Sequence, residues 1–422
     1  MKKTLQTPRG TRDQLPQETY RWLFLENKIR DIFGRFNFLE IRTPVFEETE
    51  LFARGVGQTT DIVQKEMYTF EDRGGRSLTL RPEMTASVVR AYIQHALWNQ
   101  GGVQKFSYIS PMFRQERPQA GRLRQFHQFG VEILGTASPL ADVEVIALAM
   151  EIFTQLGLTD LTLKINSVGC PKCRPRYKEA LRAALKDVKD QLCRDCQVRY
   201  DTNPLRILDC KNPTCRSLTE DVPGMEEYLC EECRTHFARV REGLDVLGIP
   251  YQVDKRLVRG LDYYTRTAFE IVSTELGSQD AVCGGGRYDR LVAELGGPDV
   301  PGVGFAAGME RLLAILEKKG LSLGEIPAPD VFVVALGDDP VRKAVLPLVQ
   351  ILRRAGLRCE MDLSERSLKA QLRDAHRQKA HFAVIVGGDE LEKEVAQVKN
   401  LADGTQEQIP FAELARFLLK NR

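Results

Sequence analysis

Four cysteine pairs, CPKC, CRDC, CKNPTC and CEEC, fall between Cys170 and Cys233 of a 422-residue chain. Three have the spacing C-x2-C and one C-x4-C, and together they take eight of the ten cysteines. Two thiolates so close in sequence share one knuckle, and two knuckles complete a tetrahedral metal site of the closed, structural kind. Cys170, Cys173, Cys193, Cys196, Cys210, Cys215, Cys230 and Cys233 would serve two structural zinc ions or one binuclear cluster. Order along the chain leaves their pairing open, and the same spacing also suits reduced cysteines without metal. Such local clustering is unlike the disulfide framework of a secreted protein.

The chain as a whole is 43% hydrophobic and 28% charged, enough for two or three domains with cores of their own. MKKTLQTPRGTRDQLP carries two lysines with no apolar run behind them, and apolar stretches such as VFVVAL are too short to span a bilayer. The expectation is a soluble, cytoplasmic protein with no membrane partner. A net charge of +2 decides nothing about nucleic acid, because a basic patch can be balanced elsewhere on the surface.

Along the chain, TYRWLFLENKIRDIFGRF has the periodicity of an amphipathic helix. FLEIRTPVFEETELF, SLTLRPEMT and a hairpin over 105–134 read as strands, ADVEVIALAMEIFTQLG as a helix, and LTLKINSV as a strand. After the cysteine segment come YQVDKR, LVRGLDYYT and AFEIVS as strands, glycine turns, and a helix at ERLLAILEKKG. GLSLGEIPAPD is a linker, beyond which VFVVAL, VRKAVLPLVQILRRAG, RCEMDL, SLKAQLRDAHRQKA and FAVIVG alternate strand and helix. The expected divisions are a core in two parts, 1–168 and 249–325, a cysteine-rich insertion at 169–248, and a C-terminal α/β domain at 330–422.

The hairpin and one later stretch carry the candidate chemistry. Alternation along a strand puts Phe126, Gln128, Gly130 and Glu132 on one face and His127, Phe129, Val131 and Ile133 on the other. Arg114 on the neighbouring run can face the same concavity. A cation, an amide and a carboxylate suit a zwitterionic or phosphorylated ligand, although a solvated antiparallel face shows the same alternation. The RPQAGR turn adds Arg117, Arg122 and Arg124, as phosphate contacts or as a solvated loop. LVRGLDYYTRTAFE sets Arg259 beside Tyr263 and Tyr264, as an exposed edge or as the wall of a pocket.

PRGTRD, EIRTPVFE, LRPEMTA, FRQERPQAGRLRQFHQFGVE, LVRGLDYYTRTAFE, VCGGGRYD and GVGFAAGMERL occur in this order over nearly the whole chain. The series resembles the class II aminoacyl-tRNA synthetases, and within them the bacterial histidyl-tRNA synthetase family. The resemblance implies an α+β fold: an antiparallel-sheet catalytic core with the cysteine-rich subdomain inserted, and a C-terminal α/β anticodon-binding domain. It implies a histidine-tRNA ligase that forms histidyl-adenylate from L-histidine and ATP, then transfers histidine to the 3′-terminal ribose of tRNA(His). EIRTPVFE with Pro44 matches a dimer-interface motif, so a homodimer is implied. LRPEMT differs from the common family pattern in carrying Met84 where glycine is frequent.

By the same resemblance, Arg114 and Glu116 belong to the ATP site, Arg114 on the α-phosphate, and Arg311 takes the γ-phosphate, with Mg²⁺ sharing the charge. Glu83, Thr85 and Gln128 match residues that bind the α-ammonium group. Glu132 and Tyr264 match those that read the imidazole, with Tyr263 and Tyr288 beside them. Arg259 faces the carboxylate and α-phosphate, so that Arg259 and Arg114 are the implied catalytic groups. Without the resemblance, GGGRYD would be an ordinary glycine turn, since no GK[ST] follows it.

Many relatives lack the full cysteine set, so the metal rests on spacing alone. At the C-terminus, Arg366, Lys369, Arg373 and Arg377 form a basic stripe with Leu368, Leu372 and Ala375 inward, as an RNA contact or a solvated helix face. The alternative reading is the histidine-binding regulatory paralogue of ATP phosphoribosyltransferase, which shares this core. That paralogue typically lacks the anticodon module and degrades the Arg259 motif, and this chain keeps both. A zinc-dependent RNA-binding module would leave Arg114, Arg259 and Arg311 without a task.

Overall fold

Ser138 and Pro139 show how locally the elements are specified. The serine hydroxyl accepts from the Leu140 amide at 3.3 Å, and Pro139 opens the helix Pro139–Gln155 where its missing N–H costs nothing. In the computed structural model, residues 4–58, 60–117, 122–273, 281–337 and 339–422 are described. They fall into two units, Met1–Gly324 and Glu325–Arg422.

In the first unit, β1 (Leu39–Glu40) is followed by β2 (Phe46–Glu48), β3 (Tyr68–Glu71) and β4 (Ser77–Leu80), and these last three make a small sheet. Then come β5 (Gln104–Phe113), β6 (Gln125–Leu134), β7 (Thr162–Ser167), β8 (Gln252–Val253), β9 (Thr265–Val272), β10 (Ala281–Arg287) and β11 (Gly302–Gly308). With β1 they build one sheet in the order β1-β5-β6-β11-β10-β9-β7-β8. Only its outer pairs, β1 with β5 and β7 with β8, are parallel; the inner strands are antiparallel.

One face of this sheet is dry. Phe129, Val131, Ile133, Ile165, Phe269, Ile271, Val303 and Phe305 pack against the helices Pro16–Arg35, Pro139–Gln155, Glu231–Val246 and Met309–Lys318. The other face carries the polar residues, as β6 alternation requires. Between β7 and β8 lies the cysteine-rich segment, whose short helices close over Tyr177, Leu181, Leu185, Ile207 and Met225.

Two strand readings are corrected. Residues 257–264 form no strand but a loop with a bend and turn over Gly260–Tyr263, and the strand begins at Thr265. The end of FLEIRTPVFEETELF is helical, over Thr49–Gly55. The turn residues 118–121 of RPQAGR lie outside the described residues.

In the second unit, β12 (Val331–Ala335), β13 (Cys359–Met361), β14 (Phe382–Val386), β15 (Val395–Asn400) and β16 (Gln406–Pro410) order as β13-β12-β14-β15-β16. The first three strands are parallel and the last two antiparallel. The basic stripe is partly neutralised there: Arg366 bonds Asp362 and Asp374, Arg377 bonds Asp374, and Leu368 is exposed rather than inward.

A buried charge cluster ties sheet to helices in the first unit. Arg287, fully buried at the end of β10, bonds Asp142 and Asp289 and donates to the carbonyls of Thr136 and Ser138. His236 of Glu231–Val246 meets Asp142 at 3.2 Å. Burial alone would raise the Asp142 pKa, yet the Arg287 charge and the His236 bond hold it below the ordinary carboxylate value. Replacing Arg287→Met should therefore strand a buried carboxylate and lower unfolding stability by about 3–5 kcal/mol, with part recovered on adding Asp142→Asn. Denaturant titration of the single and double variants checks this, and a loss under about 1 kcal/mol would refute the role.

Candidate active site

The polar face of the sheet is the floor of a cavity of about 270 Å³. Phe126, Gln128 and Glu132 line it from β6, as alternation predicts, while Phe129, Val131 and Ile133 lie in the core behind. Glu132 stands opposite Gly304 of β11, where any Cβ would come within 2.0 Å of its Oε2. Its carboxyl accepts from the Thr85 hydroxyl at 2.7 Å, from Tyr108 at 3.4 Å, and from Tyr288. Only 1% exposed, it is pushed up to about 8 by burial, which the hydrogen bonds only partly offset.

Glu83 is buried beside it and caps the helix Thr85–Gln94, taking the Thr85 and Ala86 amides at 2.8 and 2.9 Å. Negative charge at a helix N-terminus is favourable, but burial wins here and raises the Glu83 pKa as well. Thr85 gives its hydroxyl proton to Glu132, which leaves its oxygen as an acceptor toward the cavity.

The loop at residues 257–264 supplies the opposite wall. Because these residues are not extended, Arg259, Tyr263 and Tyr264 all reach the cavity, which a straight strand could not arrange. The bend at Gly260 is the departure from alternation that a shared pocket demands. Arg259 pairs with Glu270 of β9 and lies 5.6 Å from the Tyr264 ring. Burial opposes its charge, but Glu270 and Tyr264 more than compensate, so its pKa is raised above the ordinary value. Its guanidinium lies flat on Gly284 of β10, where a Cβ would sit 2.4 Å from Nη2. Tyr263 packs edge-on to Tyr288 at 5.6 Å.

The far end is lined by further arginines. Arg114 donates to the Pro82 carbonyl at 2.9 Å, Arg311 to the Ala281 carbonyl at 2.7 Å, and Arg122 reaches Glu116 at 2.8 Å. Glu116 also lies 3.7 Å from Arg114. Burial lowers the Arg311 pKa, and Arg122 and Arg114 lower it further by repulsion. Three guanidinium groups crowded enough to repel one another form a receptor for a polyanion.

Three buried side-chain atoms of cavity-lining residues, Gln128 Oε1, Arg259 Nε and Arg122 Nε, have no hydrogen-bond partner among the described residues. Buried polar atoms are normally satisfied, so such orphans in a cleft mark where a ligand's own groups fit. The cavity thus brings together every residue expected at the histidine and ATP sites. Glu270 and Arg122 join them: the first closes the LVRGLDYYTRTAFE motif but was given no role there, and the second was visible only as one of several loop arginines.

The eight cysteines segregate into Cys170, Cys173, Cys230 and Cys233, and Cys193, Cys196, Cys210 and Cys215, each group with its sulfurs within 4.8 Å of one another. The pairing is nested, outer knuckle with outer and inner with inner. None of the ten cysteines forms a disulfide.

The fold and this cavity define a class II aminoacyl-tRNA synthetase. The histidyl-tRNA synthetase family model matches residues 10–312, and the anticodon-binding domain model matches 330–421. The histidine–tRNA ligase of Caldanaerobacter subterraneus subsp. tengcongensis is 52% identical over 97% of this chain and 98% of its own. That of Halothermothrix orenii is 51% identical over 99% of each. The apo structure of S. aureus histidyl-tRNA synthetase superposes with a TM-score of 0.83 at 41% identity, covering 98% of this chain and all of that one. The chain belongs to the histidyl-tRNA synthetase family.

The burial of Glu132 is testable in the protein without added ligand. Its pKa is raised from 4.5 to about 8, so between those values the native state holds a proton that the unfolded chain has released. The associated stability is complete below about 4.5 and is lost as pH rises through about 8. Glu132→Gln should flatten this decline, leaving what Glu83 contributes in the same direction. Denaturant midpoints across that pH range provide the measurement, and parallel curves for the two proteins would contradict the shift.

Proposed function

We propose that this cavity activates L-histidine with ATP and that the enzyme then transfers the histidyl group to the 3′-terminal ribose of tRNA(His). The observation that carries the reading is the polarity of the cavity: buried Glu132 and Glu83 with half-buried Gln128 at one end, Arg114, Arg122 and Arg311 at the other, and Arg259 between. A ligand with an ammonium and a ring N–H fits the first end, and a triphosphate fits the second. The junction, at Arg259, is where carboxylate and α-phosphate meet.

The imidazole is read by Glu132, which accepts from one ring N–H, and by Tyr264, which meets the other nitrogen, while Tyr263 and Tyr288 wall the ring. Leucine or phenylalanine would leave those buried groups unpaired, and such a loss discriminates more strongly than shape alone. Glu83, Gln128 and the Thr85 oxygen receive the α-ammonium group. The amino-acid carboxylate is already ionised, so its attack on the α-phosphorus needs no general base.

ATP enters as its Mg²⁺ complex. Arg114 holds the α-phosphate with Glu116 steadying that arginine, and Arg311 holds the γ-phosphate. As the α-phosphorus gains an oxygen and pyrophosphate departs, charge moves along an arc already lined with permanent cations, which therefore stabilise the transition state without reorganising. Arg259, kept charged by Glu270, bridges the attacking carboxylate and the α-phosphate.

The cysteine groups suit structural zinc. Four thiolates at about 2.3 Å from a tetrahedral ion lie about 3.8 Å apart. Cys170 Sγ is 3.5 Å from Cys173 Sγ and 3.8 Å from Cys230 Sγ, and Cys193 Sγ is 3.8 Å from Cys210 Sγ. The Cys230 and Cys193 amides point at Cys173 and Cys215 sulfurs at 3.1 and 3.2 Å, as donors to thiolates do. Zinc there supplies a fixed point for the chain, not chemistry.

The four-part division fits these roles: two stretches of core, 1–168 and 249–325, an insertion at 169–248 carrying the cysteines, and an anticodon-binding module from residue 330. The exposed Phe46 and Phe70, whose rings lie 6.4 Å apart, support a homodimer seated on that patch. No helix among the described residues is long and apolar enough to cross a membrane, in keeping with work in the cytoplasm, where tRNA is charged. The alternative of a histidine-binding regulator is not favoured: it leaves the arginine arc and the anticodon module unused.

Histidine-dependent ATP–pyrophosphate exchange tests the reading, and its absence in folded protein would end it. Arg259→Ala should cut exchange about 100-fold or more while weakening histidine binding far less, because its charge is used where the bond forms. Equal losses in both quantities would contradict a transition-state role.

A further inference from the structure

The loop at residues 257–264 carries four pocket residues, Arg259, Leu261, Tyr263 and Tyr264, and yet belongs to no sheet. Its backbone is held from outside. Asn166 of β7 donates to the Leu257 carbonyl at 3.0 Å, Arg206 to the Arg259 carbonyl at 3.3 Å, and Arg174 to the Tyr264 carbonyl. Val258 is buried in the hydrophobic cluster of the cysteine-rich insertion, not in the core of the sheet.

Both arginines are set in the cysteine framework. Arg174 directly follows Cys173 and begins the helix Arg174–Leu185, and its side chain also donates to the Val168 carbonyl at 3.1 Å. Arg206 sits in the short turn Pro204–Ile207, between Cys196 and Cys210 of the inner group. Ile207 in the same turn is fully buried in the insertion cluster, so the turn moves with the cysteines.

We infer that the cysteine-rich insertion sets the affinity of the pocket for histidine by gripping the loop at residues 257–264 through Arg206 and Arg174. The inference rests on the proposed histidine site and on zinc in the two cysteine groups. Arg206 and Arg174 are positioning residues: they touch backbone carbonyls whose own side chains, Arg259 and Tyr264, meet the substrate. The outer cysteine group closes the insertion where it leaves and rejoins the core, and the inner one holds the turn that carries Arg206. Loss of the inner metal would therefore loosen the amino-acid end of the pocket and spare the arginine arc, whose members lie on the helix Met309–Lys318 and on the hairpin between β5 and β6, outside the insertion.

The test uses the full-length protein purified without chelator, with metal analysis and separate calorimetric titrations of histidine and ATP. Arg206→Ala is expected to keep its zinc and its ATP affinity while weakening histidine binding about tenfold or more, with partial rescue in Arg206→Lys. Cys196→Ser combined with Cys210→Ser should lose half of the zinc and show the same histidine-selective loss; if that variant fails to fold, Arg206→Ala decides alone. Unchanged histidine affinity in Arg206→Ala, or equal losses for histidine and ATP, overturns the inference. Protein free of zinc overturns the metal reading only, and the grip then stands or falls with the histidine affinity of Arg206→Ala. Failure of the unsubstituted protein to bind histidine overturns both the grip and the site.

Discussion

A single buried carboxyl organises the amino-acid end of the pocket. Glu132 is out of water, and a carboxyl there is tolerated only because Thr85, Tyr108 and Tyr288 give it hydrogen bonds. Each donor comes from a different element: the helix Thr85–Gln94, β5, and the segment just after β10. Satisfying one group therefore fixes three backbones relative to β6. Gly304 completes the arrangement by leaving room for the carboxylate that any side chain would fill. In the proposed histidine site, specificity and rigidity thus have one source, since the network that keeps Glu132 satisfied also holds it where the ring N–H is proposed to come.

Much of this architecture is legible in the residues themselves. Alternation along residues 125–134 separates Gln128 and Glu132 from Phe129, Val131 and Ile133, because a strand has two faces and only one here is apolar. The helices at 16–35 and 139–155 follow from periodicity, and the C-terminal unit from its alternating strands and helices. The resemblance over seven motifs then gathers Arg114, Arg259 and Arg311 into one site, which no local pattern could do. Residues remote in sequence meet through sheet order, and the order β6-β11-β10-β9 is not written in any single strand.

What escapes sequence reading has identifiable causes. Residues 257–264 look like a strand because their apolar and aromatic content suits one, yet they are anchored by side chains from Asn166, Arg174 and Arg206 rather than by a ladder. Arg287 looks like part of a glycine-rich motif, but it is a fully buried structural cation whose partner Asp142 is far away in sequence. The cysteine pairing stays open in the sequence because spacing within a knuckle says nothing about which knuckles meet; that is decided by where Cys170 and Cys230 leave and rejoin the core. Leu368 is expected inward on a helical stripe, but it is the first residue of its helix, where the apolar face is not yet packed.

The two ends of the cavity are consequently built to different standards. The arginine arc is anchored to carbonyls of the core, at Pro82 and Ala281, and is the end proposed for the nucleotide. The histidine end borrows one wall from an insertion with its own hydrophobic cluster and its own cysteine framework. On the proposed grip, a change in that insertion alters how well histidine is held without disturbing the arginines proposed for phosphate. In a site whose chemistry requires both ligands together, separate mounting of their receptors allows amino-acid recognition to vary while the geometry of phosphoryl transfer stays fixed.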